Sequence, residues 1–319
     1  MAPNWLAFIV PLFIGVMWLE YYISRKRKLH LHQFNESVAN INVGIAERVT
    51  DIFVSGIFYY VFTLIYQHWA LFKIPQNWIT WILLFLLTDL VWYWYHRFGH
   101  KVNLFWSAHV VHHQSGDFNY TTSVRITVFQ ALARGLFWCI LPLAGFSPFM
   151  ITVLLMIHGA YPFFTHTQLV GKLGWLEKFL VTPSHHRVHH SSNAAYLDKN
   201  FGDMLIIWDK IFGTFTEETE IPVYGLTKPQ NSHSFLWQHF HFYLELLVSI
   251  QRAKGIGPKF KVIFGKPDDL DPRIRTWLEY KFLSRNQKTS LPFLIQYFIS
   301  IQTILTLACL FLTILFQHI

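Results

Sequence analysis

Charge is scarce in this chain. Of its 319 residues, 14% are Asp, Glu, Lys or Arg, against about 25% in an average soluble domain. Cysteine is scarcer still: Cys139 and Cys309 both lie inside apolar runs, which excludes a disulfide framework or a cysteine-based zinc site as the organising feature. No internal repeat or low-complexity tract stands out. The basic excess, 26 Lys and Arg against 18 Asp and Glu, is scattered between apolar spans. It fits loops beside anionic lipid better than a nucleic-acid surface, and no nucleic-acid partner is expected.

Apolar and aromatic residues are what the chain has in abundance. Hydrophobic residues make up 53% and aromatics 18%, with 13 Trp and 14 Tyr, proportions that suit an integral membrane protein with headgroup-level aromatic belts. Residues 5–23 are apolar except for Glu20, and Arg25, Lys26, Arg27 and Lys28 follow. A signal peptide carries its charge before the apolar run. The reversed order here reads as a first span with its C-terminal end in the cytoplasm. Residues 49–69 form a second span, preceded by a polar stretch (35–48) read as lying on the membrane surface, and 78–95 a third. Residues 128–164, broken near Leu141-Pro142-Leu143-Ala144-Gly145, hold a hairpin at roughly 20 residues per crossing. Residues 291–316 carry no charge and close the set. Stretches 218–235 and 254–274 read as connecting segments, and 235–252 as an aromatic helix in the interface.

Histidine is the second abundance, at 18 residues, and it is grouped. HRFGH supplies His96 and His100. HVVHH supplies His109, His112 and His113. TPSHHRVHH repeats the same spacing at His186, His189 and His190, and His166 stands alone after the hairpin. Residues three and four apart share a helix face, and counting crossings puts all these histidines on one side, the cytoplasmic one. Neutral imidazole binds Fe, Zn, Cu or Ni, and no thiolate competes. These imidazoles exceed what one four- to six-coordinate ion needs, so two ions sharing one site is the economical reading. His30, His32, His68, His158, His233, His239, His241 and His318 read as ordinary interfacial or packing side chains, while His158 and His185, each beside the proposed ligands, leave both readings open. Asp89, two turns before His96 on the same face, is expected to hydrogen-bond a ligand imidazole. Asn200 and Asp203 either orient imidazoles or serve as turn and cap residues. Arg97, Arg125 and Arg187 are read as meeting the membrane surface rather than a phosphate headgroup.

HRFGH, HVVHH and HHRVHH, with spans before and between, resemble the fatty acid hydroxylase and sterol desaturase superfamily of membrane di-metal oxygenases. Within it, DLVWYWYHRFGHKVNLFWSAHVVHH, FNYTTSVR, YLDKNFGDMLIIWDKIFGTF and VYGLTKP are most similar to the ether-lipid-cleaving alkylglycerol monooxygenase branch. The similarity covers roughly residues 85–265, and one position departs, with Lys101 standing where that branch has Glu. The resemblance implies two iron ions held by His96, His100, His109, His112, His113, His166, His186, His189 and His190. It also implies O₂-dependent hydroxylation of a membrane lipid and an electron donor, tetrahydrobiopterin in the ether-cleaving branch. Hydroxylation of the carbon beside an ether oxygen leaves a hemiacetal, which falls apart to a fatty aldehyde and a glycerol product.

The expectation is an all-α integral membrane protein, a single oxygenase domain over 1–319. It has about five transmembrane helices and a cytoplasmic histidine-lined helical cap (96–125 and 165–290) holding a di-metal site, in a bacterial inner membrane or the endoplasmic reticulum. The alternatives are a sterol or fatty-acyl hydroxylase or desaturase, and, outside that class, a histidine-based metal transporter. Transport would need ionisable residues deep in several spans, where Asp89 alone is thin support.

Overall fold

The computed structural model describes residues 4–230, 232–283 and 292–316; Leu291 and His318 lie outside the described residues. The helices run α1 (Ile9–Lys26), α2 (Phe34–Trp69), α3 (Trp78–Lys101), α4 (Asn103–His109), α5 (Tyr120–Ser123), α6 (Gln130–Trp138) and α7 (Ile140–Ala144). They continue as α8 (Pro148–Thr165), α9 (Pro183–His189), α10 (Ile207–Ile211), α11 (Phe235–Arg252), α12 (Ile256–Phe264), α13 (Pro272–Phe282) and α14 (Phe293–Phe316). Two isolated bridges, Leu180 with Leu205 and Ser191 with Tyr224, are the only β pairing among the described residues.

Four of these helices, α2, α3, α8 and α14, are long and apolar enough to cross a membrane. Their starts are chemically marked. Asn77 and Thr80 form a reciprocal cap at the head of α3, each side-chain oxygen accepting the other's backbone N–H at 3.1 Å. Ser147 caps α8 ahead of Pro148, whose fixed φ and missing N–H suit a first turn. The outward faces are apolar: Phe53 and Tyr60 on α2 are 69% and 63% exposed, and Ile304 on α14 is 64% exposed. Such faces need hydrocarbon around them. The molecule is an integral membrane protein.

Three segments differ from the sequence reading. Residues 35–48 are not a separate surface stretch, because α2 runs unbroken for 36 residues. Their polar groups find partners inside the protein: Asn40 donates to Ser115 Oγ (3.2 Å) and Thr121 Oγ1 (3.0 Å). The hairpin is unequal. α6 and α7 together are a 15-residue arm (Gln130–Ala144), about 22 Å at 1.5 Å per residue, short of a roughly 30 Å hydrocarbon core. Gly145 ends that arm at φ +109°, where the Phe72 carbonyl leaves no room for a Cβ. Finally, 254–274 is partly helical, as α12, and is tied down where Asn103 bonds the carbonyls of Gly265 (2.9 Å) and Val262 (2.8 Å).

The membrane core joins α2, α3 and α6 to α8 through Phe58, Phe62, Leu84, Trp92, Trp138 and Met150. A second cluster, with Val43, Val110, Val111, Phe242 and Leu246, seats the segment after α4 between α2 and α11. One face of α11 is therefore committed to protein, through buried Trp237, Gln238, His239, His241 and Glu245.

Trp138 is fully buried, whereas Leu136 on the same helix is 63% exposed. Trp138→Ala is expected to destabilise the protein by about 3–5 kcal/mol. Thermal unfolding in detergent should show a clear drop for Trp138→Ala and little change for Leu136→Ala.

Candidate metal centre

Chain breaks deliver the histidines. α3 carries His96 and His100 one turn apart and stops at an extended Val102; α4 restarts at once, so His109 returns against His96. A 3-10 turn, Val110–Gln114, then presents His112 and His113. Pro162 lies in the last turn of α8, and His166 is the residue that caps it. α9 opens with Thr182 and Pro183 and ends in His186, His189 and His190. His185 has a different task here: its Nδ1 accepts the Thr182 N–H (3.4 Å) at the head of α9.

The ring nitrogens gather in two sets, one of His96, His100, His109, His113 and His189 and one of His112, His166, His186 and His190. Within each set the candidate ligand atoms lie within 4.8 Å of one another. The sets adjoin, with the His113 and His190 rings stacked at 4.4 Å. Each HxxHH motif is divided between them. His109 and His113 enter the first set and His112 the second, while His186 and His190 enter the second and His189 the first. On α9, at about 100° per residue, His186 and His190 lie about 40° apart, while His189 is about 100° from His190; in the first motif the change from α4 to a 3-10 turn separates His112 from His109 and His113. The same spacing therefore feeds two sets, and the two motifs contribute to them reciprocally.

Four ligand candidates have their tautomer determined by the backbone. His96 Nδ1 bonds the Phe201 carbonyl (2.9 Å), His112 Nδ1 that of Arg125 (3.1 Å), His166 Nδ1 that of Pro162 (2.6 Å) and His189 Nδ1 that of Lys199 (3.0 Å). A carbonyl only accepts, so each Nδ1 carries the proton and each Nε2 is a bare lone pair. His166 Nε2 nevertheless sits 3.2 Å from His112 Nε2. Two lone pairs at that distance repel unless a cation lies between them. Two nitrogens bound at right angles to one ion, about 2.1 Å from it, would lie about 3 Å apart. In this second set His166 Nε2 is also 3.2 Å from His190 Nε2 and 3.0 Å from His186 Nε2. In the first set, the buried Nε2 atoms of His100 and His189 have no hydrogen-bond partner. The residues present fit metal ions.

Electrostatics keep the rings neutral. Burial, then repulsion from neighbouring imidazoles, pushes His109, His112, His113, His186 and His190 well below the ordinary histidine value. Burial brings His166 down to about 4 and His189 to about 3. A neutral imidazole is the form that ligates.

The other polar residues hold the frame. Asp89 does not reach a ligand imidazole; it accepts the backbone N–H of Met204 (3.0 Å) and Leu205 (3.2 Å) and Trp208 Nε1 (2.8 Å). Asp203 bonds His158 (2.7 Å), and Asp89, His158 and Asp203 form a buried group of their own between α3, α8 and the loop before α10. Asn200 bridges the carbonyls of His185 (3.1 Å) and Thr216 (2.8 Å). Asp209 holds the backbone N–H groups of Phe201 and Gly202, both at 2.7 Å, and so aims the Phe201 carbonyl at His96. Arg125 and Arg187 are not at the membrane surface. Arg125 is buried against Val111 O (2.7 Å), Asn40 Oδ1 (3.0 Å) and Gln114 Oε1 (2.7 Å), and Arg187 pairs with Glu218. Arg97 bonds the Tyr93 hydroxyl (3.0 Å). Lys101 pairs with Asp198, whose other oxygen lies 4.0 Å from His100 Nδ1.

The His158 group had one signal in the sequence: an Asp and a His in separate apolar runs, each needing a partner. The backbone carbonyls that determine the tautomers had none.

A cavity of about 1080 Å³ opens among α1, α2, α3, α6, α8 and α14. Phe13, Phe58, Phe62, Leu155 and Leu310 give it apolar walls, and His96, His109, His112, His166 and His186, members of both sets, line it too.

Residues 81–214 match the family model described as fatty acid hydroxylase, a span that contains every histidine of both sets. The chain is 38% identical over 270 residues to alkylglycerol monooxygenase of Homo sapiens and 34% identical over 269 to that of Danio rerio, in each case 83% of this chain and 60% of the relative. It is 32% identical over 127 residues to an ornithine lipid hydroxylase of Rhizobium tropici, 39% of this chain and 38% of that protein. The chain thus spans about 60% of the length of the alkylglycerol monooxygenases it matches. No solved structure shows a significant match.

With one ion per set, the purified protein is expected to carry two transition-metal ions per chain. His166→Ala removes the ring that touches all three others of its set and is expected to lower the metal content to about one. Elemental analysis reads this directly, and loading that stays at two would show that the second set is not a metal site.

Proposed function

We propose that the chain, whose residues 81–214 match the family model described as fatty acid hydroxylase, is a membrane di-iron monooxygenase that hydroxylates a lipid, with alkylglycerol ethers as the first substrate class. The observation that carries the reading is the cavity between the spans, apolar in its walls and lined by histidines of both sets. The iron ions, when bound, would supply O₂ activation for oxidation of a C–H bond. The ligands proposed are His96, His100, His109, His113 and His189 for one ion and His112, His166, His186 and His190 for the other.

The protein's own contribution is placement and dryness. A single acyl or alkyl chain enters sideways between α1, α2 and α14 without leaving hydrocarbon, so no water-filled path is needed. Phe58, Phe62 and Trp92 keep the reacting region apolar, which protects an oxidising centre from water and side reactions. The carbonyls of Phe201, Arg125, Pro162 and Lys199 hold four rings in the tautomer that faces the site.

For an ether lipid the sum is balanced. O₂, two electrons and two protons convert R–CH₂–O–R′ to R–CH(OH)–O–R′ and water. The hemiacetal C–O bond then breaks to a fatty aldehyde and the free glycerol hydroxyl. The electron donor is proposed to be tetrahydrobiopterin, by similarity to the ether-cleaving branch. That branch carries Glu at the position of Lys101; here Lys101 holds the Asp198 carboxylate near His100 instead, so a carboxylate still stands beside that ligand.

The histidine face is proposed to be cytoplasmic. Arg25, Lys26, Arg27 and Lys28 lie at the end of α1, and the chain just after them bonds the histidine region: Gln33 N–H to Asp117 (2.6 Å), Asn119 to the Leu31 carbonyl (2.7 Å). The positive-inside rule then places both on the cytoplasmic side.

Purified iron-loaded protein given 1-O-hexadecylglycerol and a reduced pterin should consume O₂ and release hexadecanal. Absence of O₂ uptake with ether lipids, acyl lipids and sterols alike would overturn the oxygenase reading.

A further inference from the structure

Four charged side chains of α2 and α6 line the lipid cavity: Glu47, Arg48, Asp51 and Arg134. Charged groups within spans are costly and persist where they pair or do work. Each has a partner of opposite charge. Arg48 bonds Glu47 through Nε (2.6 Å) and Nη2 (2.7 Å), Arg48 Nη1 lies 3.2 Å from Asp51, and Arg134 Nη2 donates to Asp51 at 2.7 Å. Two carboxylates and two guanidiniums sum to no net charge.

The group is next to the metal centre. Arg134 is one turn along α6 from Gln130, which faces His109. Tyr95, immediately before His96, lies within electrostatic range of Arg134 and Glu47. A headgroup held here would bring the first carbons of its chain to the histidines, with the rest of the chain along Phe58 and Phe62.

We propose that Glu47, Arg48, Asp51 and Arg134 bind the polar head of the lipid, and that they select a neutral, hydroxyl-bearing head such as glycerol over a phosphate-bearing one. The proposal rests on the lipid-hydroxylase reading of the same cavity. A hydroxyl both donates and accepts, so it can use a spare carboxylate lone pair and a guanidinium N–H at once. A phosphate offers acceptors only and brings negative charge, while the charge of both guanidiniums is already balanced by Glu47 and Asp51. To take one, the phosphate would have to displace Asp51 or Glu47 and leave a buried carboxylate unpaired, which costs more than the new pair returns. A clip that only fastened α2 to α6 would need no place in the cavity wall.

The test compares equilibrium binding of 1-O-hexadecylglycerol and 1-O-hexadecylglycerol 3-phosphate to the metal-loaded protein in detergent, for the wild type, Asp51→Asn and Glu47→Gln. The wild type should prefer the neutral lipid by about tenfold or more. Asp51→Asn frees Arg134 and leaves a net positive charge, so its affinity for the phosphate lipid should rise while that for the neutral lipid falls, reversing the preference. Glu47→Gln should shift it the same way through Arg48. Equal loss of both lipids in the variants would mark the network as a structural clip and overturn the assignment. A wild type that oxidises lipids with no headgroup preference overturns the headgroup site alone. A wild type that neither binds nor oxidises any lipid overturns the hydroxylase reading, and the headgroup site with it.

Discussion

Uncharged imidazoles crowded into one buried place must each present a lone pair and not a proton, and much of the surrounding structure serves that requirement. A histidine left to itself can place its hydrogen on either nitrogen. The carbonyls of Phe201, Arg125, Pro162 and Lys199 remove the choice for four rings. The lone pairs so created face one another at close to 3 Å, an arrangement that only a cation relieves. Burial reinforces it by keeping the rings unprotonated.

The backbone that supplies those carbonyls is in turn held by charged side chains that never touch the metal positions. Asp209 fixes the turn carrying Phe201, and Asp89 fixes the next residues of the same loop against α3. Arg125 anchors the 3-10 segment of His112 and His113 through the Val111 carbonyl. Each of these groups is buried and fully engaged, as an ionised group in an apolar setting must be. The centre is rigid because its supports are saturated.

Two kinds of polar burial thus meet in one membrane protein. One holds the histidines, and the other, along α2 and α6, lines the cavity wall. Between them lies an apolar space large enough for a lipid chain, which joins the bilayer to the histidines without a passage through water.

Much of the architecture could be read from the chain. A low charge content and long apolar runs announce membrane helices, because hydrocarbon tolerates no unpaired backbone and few charges. HRFGH, HVVHH and HHRVHH announce a histidine cluster, because three spaced groups on one side of a membrane are not separate accidents, and the gathering of His96, His166 and His190 follows from span counting. Where spans began was less legible. The polar residues of 35–48 look like surface until Asn40 is seen bonded to Ser115 and Thr121, partners far away in sequence. Arg125 and Arg187 look like membrane-surface cations for the same reason. The division of each HxxHH motif between two sets, the carbonyls that determine four tautomers, and the pairing of His158 with Asp203 were decided by the tertiary structure alone. All are contacts between segments distant in the chain, and local spacing specifies which side chains share a helix face but not what that face will meet.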